Sequence, residues 1–333
     1  MAKGVGILLV IYGHAAGGVR DAGLTPNGGW IANSFYFLYT FHMPMFMFLA
    51  GILVENRLSR GRLRFFRSLG TSIVLPYFIW APITVLVLSL TSAVTTGGES
   101  GGIARSIVAM FWNPPGWLWF FYGLFLCHLV AILAPFGKYA LLLIGLALLP
   151  LNTMLHLIPV LTVTSYMFIF YALGVVIGPK LTERPFTPPV LLLVALAILF
   201  AVFGWMAMRA NATAWSLNAL PAAVTGAALM IGVSASPLLR SNRVLSYVGK
   251  RSMAIFVLHV FFVAGTRIAF DKILHYPNAA VILPVSVAAG LIGPLVIYEV
   301  ASRLKISEWV GLGKPIPWAG RASSAAPASA ASI

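Results

Sequence analysis

Charge is what this sequence is shortest of. Only 9% of its 333 residues are Asp, Glu, Lys or Arg, against about 25% in a soluble globular domain, which excludes that class. Cysteine occurs once, at Cys127, so there is no internal disulfide framework; inside an apolar run this thiol packs rather than reacts. Runs of like charge and internal repeats are also missing. The formal charge is nevertheless +15, which by itself invites a polyanion. Nucleic-acid binding needs its bases gathered on one soluble face. Here they are scattered between apolar stretches, so no nucleic-acid partner is expected. What fills the sequence is hydrocarbon: 60% hydrophobic residues and a mean hydropathy of +0.95. The expected fold is all-α, a polytopic integral membrane helical bundle with membrane lipids as its surroundings.

Apolar runs mark about ten helices: Gly4 to Ala16, Trp30 to Val54, Gly70 to Ser92, Gly116 to Pro135, Tyr139 to Leu157, Val160 to Gly178, Pro189 to Met208, Trp215 to Ala235, Ser252 to Phe270 and Ala279 to Ala301. The first run is short. Lys3 before it and Ala15-Ala16 after it also outline a signal peptide, but Gly13-His14 stands where a cleavage site would be and an apolar hairpin partner follows at once. A first membrane helix with a clipped or misassigned cytoplasmic end is the better reading. With the N-terminus cytoplasmic, only Arg20, Arg105, Arg209, Arg267 and Lys272 of the 22 Lys and Arg fall outside. The positive-inside rule then selects N-in and C-in. Residues 1–304 form the membrane domain; 305–333 form a cytoplasmic tail, Ala/Ser-rich with Pro from Gly311 onward and expected to be disordered.

Against this apolar background the histidines stand out. His42 lies near the middle of Ser34 to Gly51, SFYFLYTFHMPMFMFLAG, and an ionisable residue within a span is either satisfied by a neighbouring helix or part of a functional site. At ~1.5 Å per residue, His14 lies about 16 Å beyond Lys3, and His42 about 20 Å beyond Glu55 on the antiparallel second helix. The two rings are therefore expected at one level. His259, counted from Arg251, falls lower, at about 12 Å.

At this point several short motifs form a set. Lys3-Gly4-Val5-Gly6-Ile7 leads to Tyr12-Gly13-His14; Phe41-His42-Met43-Pro44 leads to Phe48-Leu49-Ala50-Gly51. Arg64-Phe65-Phe66-Arg67 precedes Leu75-Pro76-Tyr77, and Trp117-Leu118-Trp119-Phe120 precedes Leu124-Phe125. Tyr247-Val248-Gly249-Lys250-Arg251-Ser252 runs to Leu258-His259. From Lys3 to roughly Leu304 this order resembles the acyltransferase 3 family, closest to its fucose 4-O-acetylase-like branch. The resemblance implies an integral-membrane O-acyltransferase of a bacterial plasma (inner) membrane. It moves an acyl group, acetyl by preference, from cytoplasmic acyl-CoA to a hydroxyl of a cell-surface or extracytoplasmic carbohydrate. The family's first-helix basic residue and histidine, separated by ten positions, match Lys3 and His14. Many members have Arg where this chain has Lys3, and Lys cannot make Arg's planar bidentate phosphate contact. An acidic residue commonly precedes that position in the branch, so either the true start lies upstream or part of the inner site is missing.

The chemistry of the residues fits that implication. Acyl transfer to an alcohol needs a base for the hydroxyl proton, and imidazole suits it; His14 is the expected base, with His42 and Lys3 as its catalytic companions. Direct attack and a transient acyl-histidine are both compatible. Donor phosphates ask for a basic cluster, which Arg62, Arg64 and Arg67 supply, unless those arginines are topology determinants only. Trp117, Trp119 and Tyr122, with Trp112, either stack on a sugar or form an interfacial aromatic belt; His259 is grouped with the acceptor-binding residues. No metal and no permanently bound cofactor is expected; acetyl-CoA is a substrate. The rival is a transporter or flippase of a sugar or lipid-linked sugar with the histidines as proton relays. It has Glu299 as its one clear intramembrane acid. A purely structural subunit would leave the motifs unexplained.

Overall fold

In a computed structural model the chain is described over residues 1–26, 29–96, 102–134, 137–151, 159–183 and 187–314, with the backbone alone described at 92–96, 151, 182–183 and 238. His156, Pro135, Arg184, Arg321 and the remainder of the tail, 315–333, lie outside these residues. Fifteen α-helices and no strand occur among the described residues. They are α1 (Ala2–Asp21), α2 (Trp30–Ile52), α3 (Val54–Ser59), α4 (Arg62–Leu69), α5 (Leu75–Thr96), α6 (Ile103–Ala109), α7 (Trp119–Leu133) and α8 (Lys138–Leu151). After these come α9 (Pro159–Glu183), α10 (Val190–Arg209), α11 (Leu220–Ala235), α12 (Pro237–Arg240), α13 (Arg243–Lys250), α14 (Ser252–Ile268) and α15 (Ala279–Arg303). Only closed hydrogen-bonding structures survive in hydrocarbon, and helices with few charges satisfy that condition.

Among the described residues, nine helical stretches are long and apolar enough to cross a membrane. The run expected at Tyr139 to Leu157 is seen as the shorter α8, which stops at the edge of the described residues. Lys3 and Arg57 share a cavity at one end of the bundle, and Gly4 lies against Leu245 and Gly249 there. This is called the basic end below.

Helix α1 sits centrally, packed on α2, α11, α13, α14 and α15. Its small residues make that possible. A Cβ on Gly4 would stand 2.1 Å from the Leu245 carbonyl oxygen, and Gly6, Gly13 and Gly17 lie against Met45 and Phe46, Leu38 and Tyr39, and Phe35. The motif beginning Lys3-Gly4 and the one containing Gly249 are thus two sides of one helix contact. The same device joins α2 to α9, where a Cβ on Gly51 would meet the Tyr171 carbonyl oxygen at 2.1 Å and one on Gly174 the Phe48 carbonyl oxygen at 2.1 Å.

Between α4 and α5 the chain makes a π-helical turn at Gly70–Val74. Pro76 follows directly; lacking an N–H, it cannot close an ordinary helical turn, and a wider turn absorbs the mismatch. Beyond α15 the chain stays with the bundle. Trp80 donates its indole N–H to the Val310 carbonyl at 2.9 Å, Tyr298 donates its hydroxyl to the Lys314 carbonyl at 2.8 Å, and Leu312 is buried. Residues 305–314 of the expected tail are therefore docked.

The α2–α9 contact yields a test. Gly174→Val should destabilise the protein by ~1–3 kcal/mol, the usual range for overpacking, and lower its thermal midpoint in detergent. Gly265→Ala, where an added Cβ meets no atom within 4 Å, should leave that midpoint in place.

Candidate active site

His14 stands where α1, α2, α14 and the turn before α7 meet. Its ring centroid lies 4.9 Å from His259, 6.4 Å from Trp117 and 6.5 Å from Tyr39. Trp117 and His259 face each other at 6.2 Å. His42 joins through Tyr39, whose ring is 4.8 Å away. An aromatic row continues the group, with Trp215 stacked on Tyr39 at 6.3 Å and Trp119 at 5.3 Å from Trp215. Trp215 also donates its indole N–H to the Tyr39 carbonyl at 2.9 Å, locking that row to α2.

Two depth expectations shift. With Gly6 opposite Met45 and Gly13 opposite Leu38, His14 lies level with Phe37, and His42 is a little over one turn nearer the basic end. His259 rises to His14's level because Arg251, the reference for its depth, is not at the surface. Arg251 is 3% exposed and lies over the rings of Tyr247 at 3.7 Å and Tyr298 at 5.4 Å.

The backbone sets the tautomer of two of the three rings. His42 Nδ1 lies 2.8 Å from the Leu38 carbonyl oxygen, and His259 Nδ1 lies 2.8 Å and 3.0 Å from those of Phe256 and Ile255. A carbonyl only accepts, so in each neutral ring Nδ1–H donates and Nε2 keeps a bare lone pair. His42 is 2% exposed and His259 fully buried, whereas His14 is only partly buried. Neither His259 Nε2 nor Trp117 Nε1 has a partner among the described residues. A buried polar atom left unpaired costs about 1–3 kcal/mol. One acceptor and one donor, on rings set edge to face beside His14, are thus left without a partner among the described residues.

Below this group lies a cavity of about 210 Å³ that runs toward the basic end. Met43, Phe120 and Phe256 line its upper part, and Lys3, Arg57 and Ser72 its mouth. Arg62, Arg64 and Arg67 do not line it; all three are exposed on α4, and Arg62 donates from Nη2 to the Ala134 carbonyl at 3.2 Å. Tyr122 also stands apart from the histidines, donating to the Phe111 carbonyl at 2.9 Å beside Tyr77. Glu299 is engaged near the basic end by Arg303 at 3.5 Å and Arg251 at 4.0 Å. Arg57, Tyr39 and Trp215 were not singled out from the sequence. Tyr39 had a signal, since it precedes His42 by three residues and shares its helix face; Arg57 and Trp215 owe their places to helix rotation.

A polytopic helical bundle with imidazoles grouped above a cavity at its basic end defines a class of membrane catalysts or carriers, and comparison with known proteins narrows it. The acyltransferase 3 profile, described as "Acyltransferase domain", matches residues 1–299. The chain belongs to the acyltransferase 3 family. Among curated proteins it is similar to the nodulation protein NolL of Mesorhizobium japonicum, 26% identical over 177 residues that make up 52% of this chain and 45% of that protein. NolL of Sinorhizobium fredii is 27% identical over 191 residues, 55% of this chain and 48% of that protein. The matches thus span about half the length of these relatives. No solved structure matches the chain.

The tautomers are measurable. In bilayers, ¹⁵N-histidine spectra should show two rings protonated at Nδ1 with Nε2 bare, one lost in His42→Asn and the other in His259→Asn. Protonation at Nε2 in both would contradict the carbonyl contacts.

Proposed function

We propose that the protein is an O-acyltransferase taking an acyl group, by preference acetyl, from cytoplasmic acyl-CoA to a carbohydrate hydroxyl presented at the opposite face of a bacterial plasma membrane. One observation supports this reading: the cavity runs from two cations at the basic end to Met43, the residue after His42, and to Phe256, whose ring lies 6.2 Å from that of His259. A pantetheine arm is extended, thin and mostly uncharged, and such a cavity suits it. The nucleotide phosphates then remain at the mouth with Lys3 and Arg57, while Arg62, Arg64 and Arg67 raise the local positive potential from α4.

In this reading His14, set between the other two imidazoles, takes the proton of the acceptor hydroxyl as its oxygen bonds to the thioester carbonyl carbon. The C–S bond breaks and CoA leaves toward the basic end, receiving that proton. His259 Nε2 and the Trp117 indole N–H hold acceptor oxygens on either side, and Tyr39, Trp215 and Trp119 give the sugar ring a flat surface. A proton relay of the kind a transporter uses finds less support. Glu299 is held by arginines near the basic end and not by the histidines.

The reading is tested in sealed vesicles of known orientation. Acyl-CoA supplied at the Arg64 face should acylate acceptor present only at the other face, and His14→Ala should lower that turnover at least 100-fold while expression and thermal midpoint hold. Transfer that needs donor and acceptor on one side refutes it. A second measurement separates the cations: Arg57→Ala should raise the donor KM about ten-fold with acceptor KM unchanged. Arg64→Ala should raise it less, because Arg64 does not line the cavity.

A further inference from the structure

A second cavity plays no part in the reading above. It measures about 720 Å³ and lies on the other side of α2, where Phe48 and Ile52 form its floor. Its origin is a divergence of helices. α9 is held against α2 by Gly51, Gly174 and Gly178, and α10 is held against α11 by Gly226 and Gly232, which receive Phe200 and Leu193. α9 makes little contact with α10 or α11. The two pairs therefore part toward the basic end and leave a wedge.

Four properties of the wedge restrict its occupant. Its walls are aliphatic, with Leu173 and Ile177 on one side and Leu196 and Ile231 on the other. On α11 it reaches from Val224 to Ala235, ~16 Å along a helix and about half of a ~30 Å hydrocarbon core, the depth of one leaflet. It is bordered by a helix that faces the bilayer, since Val190 and Leu191 at the start of α10 are 76% and 79% exposed. At its mouth stands Arg240, for which no carboxylate partner exists among the described residues. An apolar slot one leaflet deep, bordered by the bilayer and rimmed by an exposed arginine, matches one chemistry.

We propose that this wedge binds one anionic glycerophospholipid of the leaflet at the basic end, with an acyl chain between α9 and α11 over Phe48 and Ile52 and its phosphate at Arg240. The site does not depend on the acyl-transfer reading. It shares α2 and the first turn of α1 with the cavity beneath the histidines, and no lining residue is common to both.

The test is lipid retention. Protein purified in mild detergent is titrated with phosphatidylglycerol or phosphatidylcholine and observed by native mass spectrometry. One phosphatidylglycerol should bind ahead of all others and ahead of phosphatidylcholine. Arg240→Ala should weaken it roughly five-fold, the factor corresponding to the ~1 kcal/mol of one cation at an anionic surface. Arg209→Ala, a basic residue outside the wedge, should not weaken it. Ala228→Phe fills the wedge and should abolish the preferred site; if that variant does not accumulate, Ala228→Leu should weaken it. Equal retention by wild type, Arg240→Ala and the filled variant overturns the proposal. So does a site that takes palmitoyl-CoA but not phosphatidylglycerol, since the wedge would then belong to an acyl donor.

Discussion

In lipid, helices gain nothing by hiding hydrocarbon from one another, so close contact has to hold them together, and in this protein glycine makes that contact. Four glycines of α1 lie against neighbouring side chains or backbone on α2 and α13, and Gly51 and Gly174 let α2 and α9 touch backbone to backbone. His14 follows one of these glycines directly. The position of its ring is therefore tied to the close contact of Gly13 with Leu38 and Tyr39. Even the register that moves His42 one turn below His14 follows from which side chains the glycines admit.

Much of the architecture was legible because the membrane simplifies the code. Runs of apolar residues with little charge have one stable form in hydrocarbon, so the helices stand where hydropathy puts them. The shorter α8, ending where the described residues end, is the least defined of the runs. The intramembrane histidines on α1, α2 and α14 likewise stood out in the sequence, and the fold brings them together. What hydropathy does not carry is rotation about each helix axis. Arg57 faces the cavity while Arg64 does not, Trp117 meets His14 while Tyr122 turns toward Tyr77, and nothing in a uniformly apolar pattern distinguishes the two faces. Depth failed in one instance for a different reason. Arg251 is a charge buried by stacking on Tyr247 and Tyr298 and by pairing with Glu299, so it is a poor marker of the membrane surface.

Helix α2 has more to do than its length suggests. One face carries Tyr39 and His42 and lines the cavity that opens between Lys3 and Arg57; the other supports the apolar wedge through Phe48 and Ile52. Phe48 thus lines the wedge while Leu49, its neighbour in sequence, lines the cavity. Substitutions along this stretch are expected to couple, because packed neighbours share their relaxation.

The bond between the Trp80 indole and the Val310 carbonyl spans 230 positions. A ribosome that has delivered Trp80 must synthesise every span that lies between it and Val310 before that partner exists. During that interval the Trp80 indole N–H has no Val310 carbonyl to reach, and its helix is held by other contacts alone. An early helix of this bundle is thus fastened by a segment made long after it.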